Sequence, residues 1–195
     1  MSSRLRKFPP AALALLAVLA LGACGDSHTK VTTGTYAGES GAAAPYLDVG
    51  PLVYQVQLSR ELNPYNTEDA PYLRGVPPAE AKLAPGQEWF GVFIQVFNHG
   101  EAPQPAAERL TVTDTQGNGY FAVQPDQTNE FAYRGGIVPA AGRLPVLDSV
   151  AANGATQGLL LLYKIRVVSL DNRPLEIRIV DPTNPRLTAS AELDV

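Results

Sequence analysis

Few side chains in this sequence belong to types that carry chemistry, and their spacing narrows them further. Cys24 is the only cysteine, and His28 and His99 are the only histidines, among 195 residues. Thiolate and imidazole are the usual nucleophiles, bases and metal ligands near neutral pH, so one chain cannot assemble a metal site of three or four His and Cys ligands. A Ser-His-Asp arrangement would have to use His99, which lies between Asn98 and Gly100 where a turn is expected. There is no Gly-x-Ser-x-Gly elbow, phosphate loop or dinucleotide fingerprint. Asp114-x-Gln116-x-Asn118-Gly119 has the first half of a calcium-loop spacing, but its twelfth position is Pro125, where a bidentate Glu is needed. A hairpin turn is the simpler reading, with Gly117 and Gly119 at positive φ and Asp114 bonding neighbouring amides. Glu68 and Asp69 are the only adjacent acids. They leave a carboxylate-dependent hydrolase as the one enzymatic reading in view. No catalytic, metal-binding or cofactor-binding set emerges.

Cys24 gains meaning from what precedes it. Arg4, Arg6 and Lys7 form a positive segment, and residues 11–21 an unbroken apolar one, as in a secretion signal. Eleven apolar residues are too few for a permanent membrane helix. Arg4 and Arg6 are not adjacent, so the signal reads as the general secretory type. Leu21-Gly22-Ala23-Cys24 resembles the lipobox of bacterial lipoproteins, in which a small-residue site precedes the cysteine that becomes the new N-terminus. The resemblance implies cleavage after Ala23, acylation of Cys24 and attachment to membrane lipid at the extracytoplasmic face. An ordinary signal peptide would instead leave a lone thiol in an oxidising compartment. Loss of Arg4, Arg6 and Lys7 moves the net charge from −4 to −7, which argues against nucleic acid and against a polybasic grip on anionic lipid.

The elements around these residues read in order as signal (1–23), acylated cysteine and linker (24–45), and one domain (46–195). Within residues 25–45, 14 of 21 positions are Gly, Ser, Thr or Ala, too little apolar surface to offset the entropy of ordering. A flexible tether with a reach of roughly 25 Å is expected. In the remainder the periodicity is that of strands. Alternation gives one at 51–60, and residues 89–97 (WFGVFIQVF) read as a central strand buried on both faces. Further strands are expected at 110–115 and 119–123, flanking a turn, and at 158–168, 175–179 and 187–195. Short helical pieces are expected only at 77–84 and 106–110. Seven strands without a substantial helix imply an all-β, antiparallel sandwich, with a closed barrel as the alternative. Gly and Pro number 17 each, a turn-rich composition still below that of disordered chains.

This order of pieces, with Asn98-His99-Gly100 ending one strand and Asp114-Thr115-Gln116-Gly117-Asn118-Gly119-Tyr120 forming a hairpin, resembles the secreted bacterial lipoproteins that carry a telokin-like, immunoglobulin-like domain of unknown function. The resemblance covers about residues 50–195 and implies an immunoglobulin-like sandwich. The Ala-, Pro- and Arg-rich, Lys-poor composition is what a high-GC actinobacterial genome would produce. A long insertion after the first strand departs from the family pattern.

That insertion, residues 63–87, is longer than structureless loops usually are in compact domains. It carries Tyr65, Glu68, Asp69, Tyr72 and Arg74, a combination suited to a binding surface for an envelope protein or small ligand. On that reading Tyr65→Ala and Tyr72→Ala leave the fold intact and abolish binding. The alternative is that the loop packs its tyrosines over the sandwich. A second long connection, 124–156, includes Phe131-Ala132-Tyr133-Arg134 and is placed against the first. The preferred function is a lipid-anchored interaction or ligand-binding module. A structural or accessory component of an envelope or transporter complex is the alternative, ahead of a hydrolase.

Overall fold

The computed structural model describes residues 29–32 and 46–193. The expected signal segment, lipobox residues Leu21, Gly22, Ala23 and Cys24, and His28 lie outside the described residues. In chain order the elements are β1 (Thr29–Thr32), β2 (Tyr46–Val49), β3 (Leu52–Leu62), α1 (Pro78–Ala81), β4 (Gln87–Asn98), β5 (Gln104–Ala106), β6 (Leu110–Thr113), β7 (Gly119–Phe121), β8 (Gly136–Val138), β9 (Arg143–Leu144), α2 (Val150–Asn153), β10 (Leu159–Arg166), α3 (Val167–Asp171), β11 (Leu175–Val180) and β12 (Thr188–Leu193). One sheet runs β10-β4-β3-β2, with β9 also on β4; the other runs β1-β12-β11-β6-β7; β5 and β8 form a small ribbon. Every pairing within the two main sheets is antiparallel except that of β1 with β12. Among the described residues no helix is long and apolar enough to cross a membrane.

Alternation builds the core. Phe90, Val92, Ile94 and Val96 of β4 face Ile177, Ile179, Ala189 and their neighbours across the sandwich, all nearly inaccessible. The other face of β4 contributes Trp89 and Phe93 to a second cluster with Leu62, Tyr72, Leu160 and Leu162. Residues 89–97 are therefore buried on both faces, as their composition requires. A register shift between Val56 and Leu58 in β3 inserts Gln57, whose Nε2 donates to Gln55 Oε1 (2.7 Å). The bulge sets Leu58 opposite Phe93, on the second cluster.

All seven expected strands are present, joined by five others. Four expectations are corrected. Residues 29–32, assigned to the tether, pair with β12; Thr29, Val31 and Thr32 are β-branched and suit a strand where an edge is offered. Residues 106–110 form no helix, because the backbone groups of Ala107 bond to tyrosine hydroxyls rather than to their own turn. Of the two hairpin glycines only Gly117 has positive φ, at 81°. The expected strand 158–168 stops at Arg166, where α3 begins.

The sandwich has two distinct ends. At the first, the turn at residues 50–51 joins β2 to β3, Leu52 lies opposite Asn98, and Gly50, at φ 59°, approaches Asp181 so closely that a Cβ would collide with its carboxylate. At the second, the 114–118 turn meets the residue that follows α3, through Thr115 N–H donating to Asn172 O (3.2 Å). The 63–86 connection also starts and finishes there, with Val167 N–H donating to Gly86 O (2.9 Å). One side of the sandwich is closed by a bridge between Val123 and Leu162.

Candidate functional site

The 63–87 connection turns out to be a cover. Successive turns, with Asp69 N–H donating to Asn66 O and Tyr72 N–H to Asp69 O, fold it back over the sheet. The Asp69 carboxylate accepts from Arg60 Nη2 (2.6 Å) and Asn63 N–H (2.9 Å). Burial raises the Asp69 carboxyl, but the Arg60 and Asn63 bonds prevail and hold it below its ordinary range. The Tyr72 ring is buried edge-on against Phe93 and Phe131, at centroid distances of 5.0 and 4.8 Å. Asn129 Nδ2 donates to the carbonyls of Tyr72 (2.9 Å) and Arg74 (2.8 Å), so the second connection does lie against the first. Asp69 and Tyr72 are thus interior, whereas Tyr65, Glu68 and Arg74 are exposed. The five residues do not converge on one surface, and Tyr72 cannot be truncated without opening the second cluster.

The family-like motifs are likewise structural. Asn98 Nδ2 reaches the carbonyls of Ala102, Val138 and Pro139, and Asn98 Oδ1 accepts from Gly100 N–H. His99 is exposed, its ring parallel to Phe97. Asp114 accepts from Gln116 N–H, Asn118 N–H and Asn118 Nδ2, the turn chemistry expected of it. Burial acts to raise the Asp114 carboxyl, but these bonds and one from Ser169 hold it down at about 2. Among the described residues no three His, Cys, Asp or Glu side chains come together as a metal site.

A different set of residues surrounds an open cavity of about 560 Å³ where the β6–β7 hairpin meets β10 and the second connection. Its framework is a tyrosine clasp. Ala107 N–H donates to the Tyr54 hydroxyl (2.7 Å), and the Tyr133 and Tyr163 hydroxyls donate to Ala107 O (2.6 Å) and Leu110 O (3.0 Å). Burial pushes the Tyr54 hydroxyl up to about 12 and raises the Tyr133 and Tyr163 hydroxyls as well. The clasp fixes the segment that carries Glu108 and Arg109 at the cavity mouth. Phe121, 71% exposed at the end of β7, lines the same cavity. Arg134 also lines the cavity, but its guanidinium is engaged by the carbonyls of Pro125 and Asp126. Arg109 has no hydrogen-bond or ion-pair partner among the described residues.

One unengaged cation, one neighbouring carboxylate, an exposed ring and the Gln124 amide can recognise a ligand. They include no activated nucleophile. The sequence singled out Tyr133 and Arg134 but missed Arg109 and Phe121. The signal for Phe121 was its neighbour: in a three-residue strand Tyr120 and Phe121 face opposite ways, so one ring has to be outside.

No protein-family model matches the chain, and no curated protein matches it. Solved structures do. The YjhA protein of Bacillus subtilis aligns over 77% of this chain and 97% of its own, at 11% identity and a TM-score of 0.50. YcdA of the same organism, a proposed lipoprotein, aligns over 80% of this chain at 10% identity and a TM-score of 0.46. This chain spans 39% of YcdA's length. An uncharacterised β-sandwich protein of Clostridium difficile aligns over 84% of this chain and 95% of its own, at 8% identity and a TM-score of 0.43. The fold is an antiparallel β-sandwich. Likeness at these identities speaks to the fold alone.

Proposed function

We propose that this protein is a membrane-anchored extracytoplasmic lipoprotein whose β-sandwich serves as a binding module, and that the module binds at the cavity beside Arg109 and Phe121. The anchor rests on the Leu21-Gly22-Ala23-Cys24 sequence. The binding reading rests on one observation: an open cavity of ligand size has, on a wall immobilised by the tyrosine clasp, a guanidinium unpartnered among the described residues. A rigid wall lowers the entropy cost of binding. The cation favours a partner with an anionic group, and Phe121 supplies an apolar contact beside it.

A photoreactive benzoyl-phenylalanine replacing Phe121, in cells that retain the intact lipoprotein, tests this. The reading expects a discrete adduct that Arg109→Glu removes while circular dichroism is unchanged. An adduct indifferent to Arg109→Glu, or the same adduct from the probe at Tyr65, would overturn the cavity as the site.

A further inference from the structure

We propose that the sandwich stands on the lipid surface by its first end, so that the 181–187 loop and the turn at 50–51 face the headgroups. The 114–118 hairpin turn then points away. This inference rests on the lipid anchor at Cys24 and adds to it an orientation that the anchor alone does not supply.

Chain length and strand direction together set which end meets the lipid. Thr29 follows Cys24 by five residues, which span at most about 17 Å when fully extended. β1 pairs parallel with β12, Thr29 opposite Thr188 and Thr32 opposite Ala191. Thr188 is the first residue of β12, directly after the 181–187 loop. The anchored chain therefore enters the fold at the first end and runs away from it. Across the same sheet Glu192 pairs with Glu176, and Glu176 with Thr113. At about 3.4 Å per residue that row lies roughly 14 Å further from the entry point than Thr188, and the 114–118 turn extends beyond it. A free linker over residues 24–45 would let every face visit the membrane. Pairing of β1 leaves only five residues, with a typical span of about 12 Å, and that freedom is lost.

The surface chemistry of the loop agrees. Asp181, its one acid, is buried, its Oδ1 accepting from Thr183 N–H, the Thr183 hydroxyl and Asn184 N–H. The exposed side chains are Pro182, Thr183, Asn184, Pro185 and Arg186. The loop thus offers a neutral polar surface with one positive charge, compatible with phosphate-bearing headgroups.

The test uses the full-length acylated lipoprotein in phosphatidylcholine/phosphatidylglycerol vesicles that contain headgroup-nitroxide lipid. One fluorophore is placed through Asn184→Cys or Gln116→Cys. Quenching several-fold stronger at position 184 than at 116 is expected. Replacing Thr29, Lys30, Val31 and Thr32 by Gly, Ser, Gly and Ser should erase the difference. Equal quenching, stronger quenching at 116, or a difference that survives the β1 replacement overturns the orientation. Intact mass on the same sample separates the two readings: a chain without acyl groups at Cys24 overturns the anchor and the orientation with it, whereas equal quenching on an acylated chain overturns the orientation alone.

Discussion

Raising the pH should unfold this domain through its tyrosine clasp. Burial keeps the Tyr54 hydroxyl protonated to about 12, against an ordinary value of 10.0, and it raises the Tyr133 and Tyr163 hydroxyls well above that ordinary value too. In the unfolded chain all three titrate near 10. A folded pKa above the unfolded one gives stability that is complete below pH 10 and lost as pH rises through the folded value. Each displaced proton is worth about 1.4 kcal/mol per pH unit, so three together lower stability by about 4 kcal/mol per unit above pH 10. For Tyr54 alone the loss is complete near pH 12, at about 2.7 kcal/mol. A domain stability near the lower end of the usual range of about 5–15 kcal/mol is then exhausted just above roughly pH 11. The assay follows tyrosinate absorbance and far-ultraviolet circular dichroism along one alkaline titration. A component of the absorbance should rise together with the loss of structure. Tyr163→Phe should remove one of the three protons and flatten the fall in stability by about a third, while costing about 1–2 kcal/mol at neutral pH through the bond to Leu110 O. Complete ionisation of all tyrosines while the dichroism stays native, or an unchanged slope in Tyr163→Phe, would refute the reasoning.

Tyr72→Ala empties the space between Phe93 and Phe131 and should lower stability by about 3–4 kcal/mol in urea unfolding, whereas Tyr65→Ala, at a site 94% exposed, should change it by less than about 0.5 kcal/mol. Asp114→Asn should weaken the hairpin by about 1–2 kcal/mol at neutral pH. It should also abolish the part of acid destabilisation that arises as pH falls from 3.8 through about 2, read from melting temperature against pH. Glu88 has a buried Oε1 without a hydrogen-bond partner among the described residues, and burial, with Glu61 nearby, raises its carboxyl. Its charged form therefore opposes folding as pH rises through that value, so Glu88→Gln should raise the melting temperature at neutral pH and lose its advantage in acid.

What the sequence could and could not convey follows from where each determinant lies. The strands at 89–97 and 159–166 were legible because burial on one or both faces writes itself into consecutive residues. The ribbon of β5 and β8 and the two residues of β9 were not, since Pro105 or a two-residue pairing has no period and each exists only through a distant partner. The bulge at Gln57 interrupts an alternation that otherwise reads as continuous. Ala106 to Leu110 carries good helix formers, and it is the hydroxyls of Tyr54 and Tyr133, 53 residues before and 26 after Ala107, that claim the Ala107 backbone, with Tyr163 on Leu110 O. Tyr72 sits in a loop whose prolines give no inward or outward signal; Phe93 and Phe131 decide its burial. The cavity was legible only in part, because Arg109 and Phe121 acquire their relation from the clasp and from the short β7 strand.

The clasp also has a kinetic meaning. Ala107 gains its two partners only when β3, the second connection and the entry into β6 have all assembled, so neither sheet alone can satisfy it. Contacts of this sequence separation place the domain among slower-folding, β-rich topologies. The Ala107 amide, enclosed and bonded to a side chain from another part of the chain, has no local route to solvent. Its hydrogen exchange should therefore require global opening, which makes this one N–H a direct gauge of the whole domain's stability.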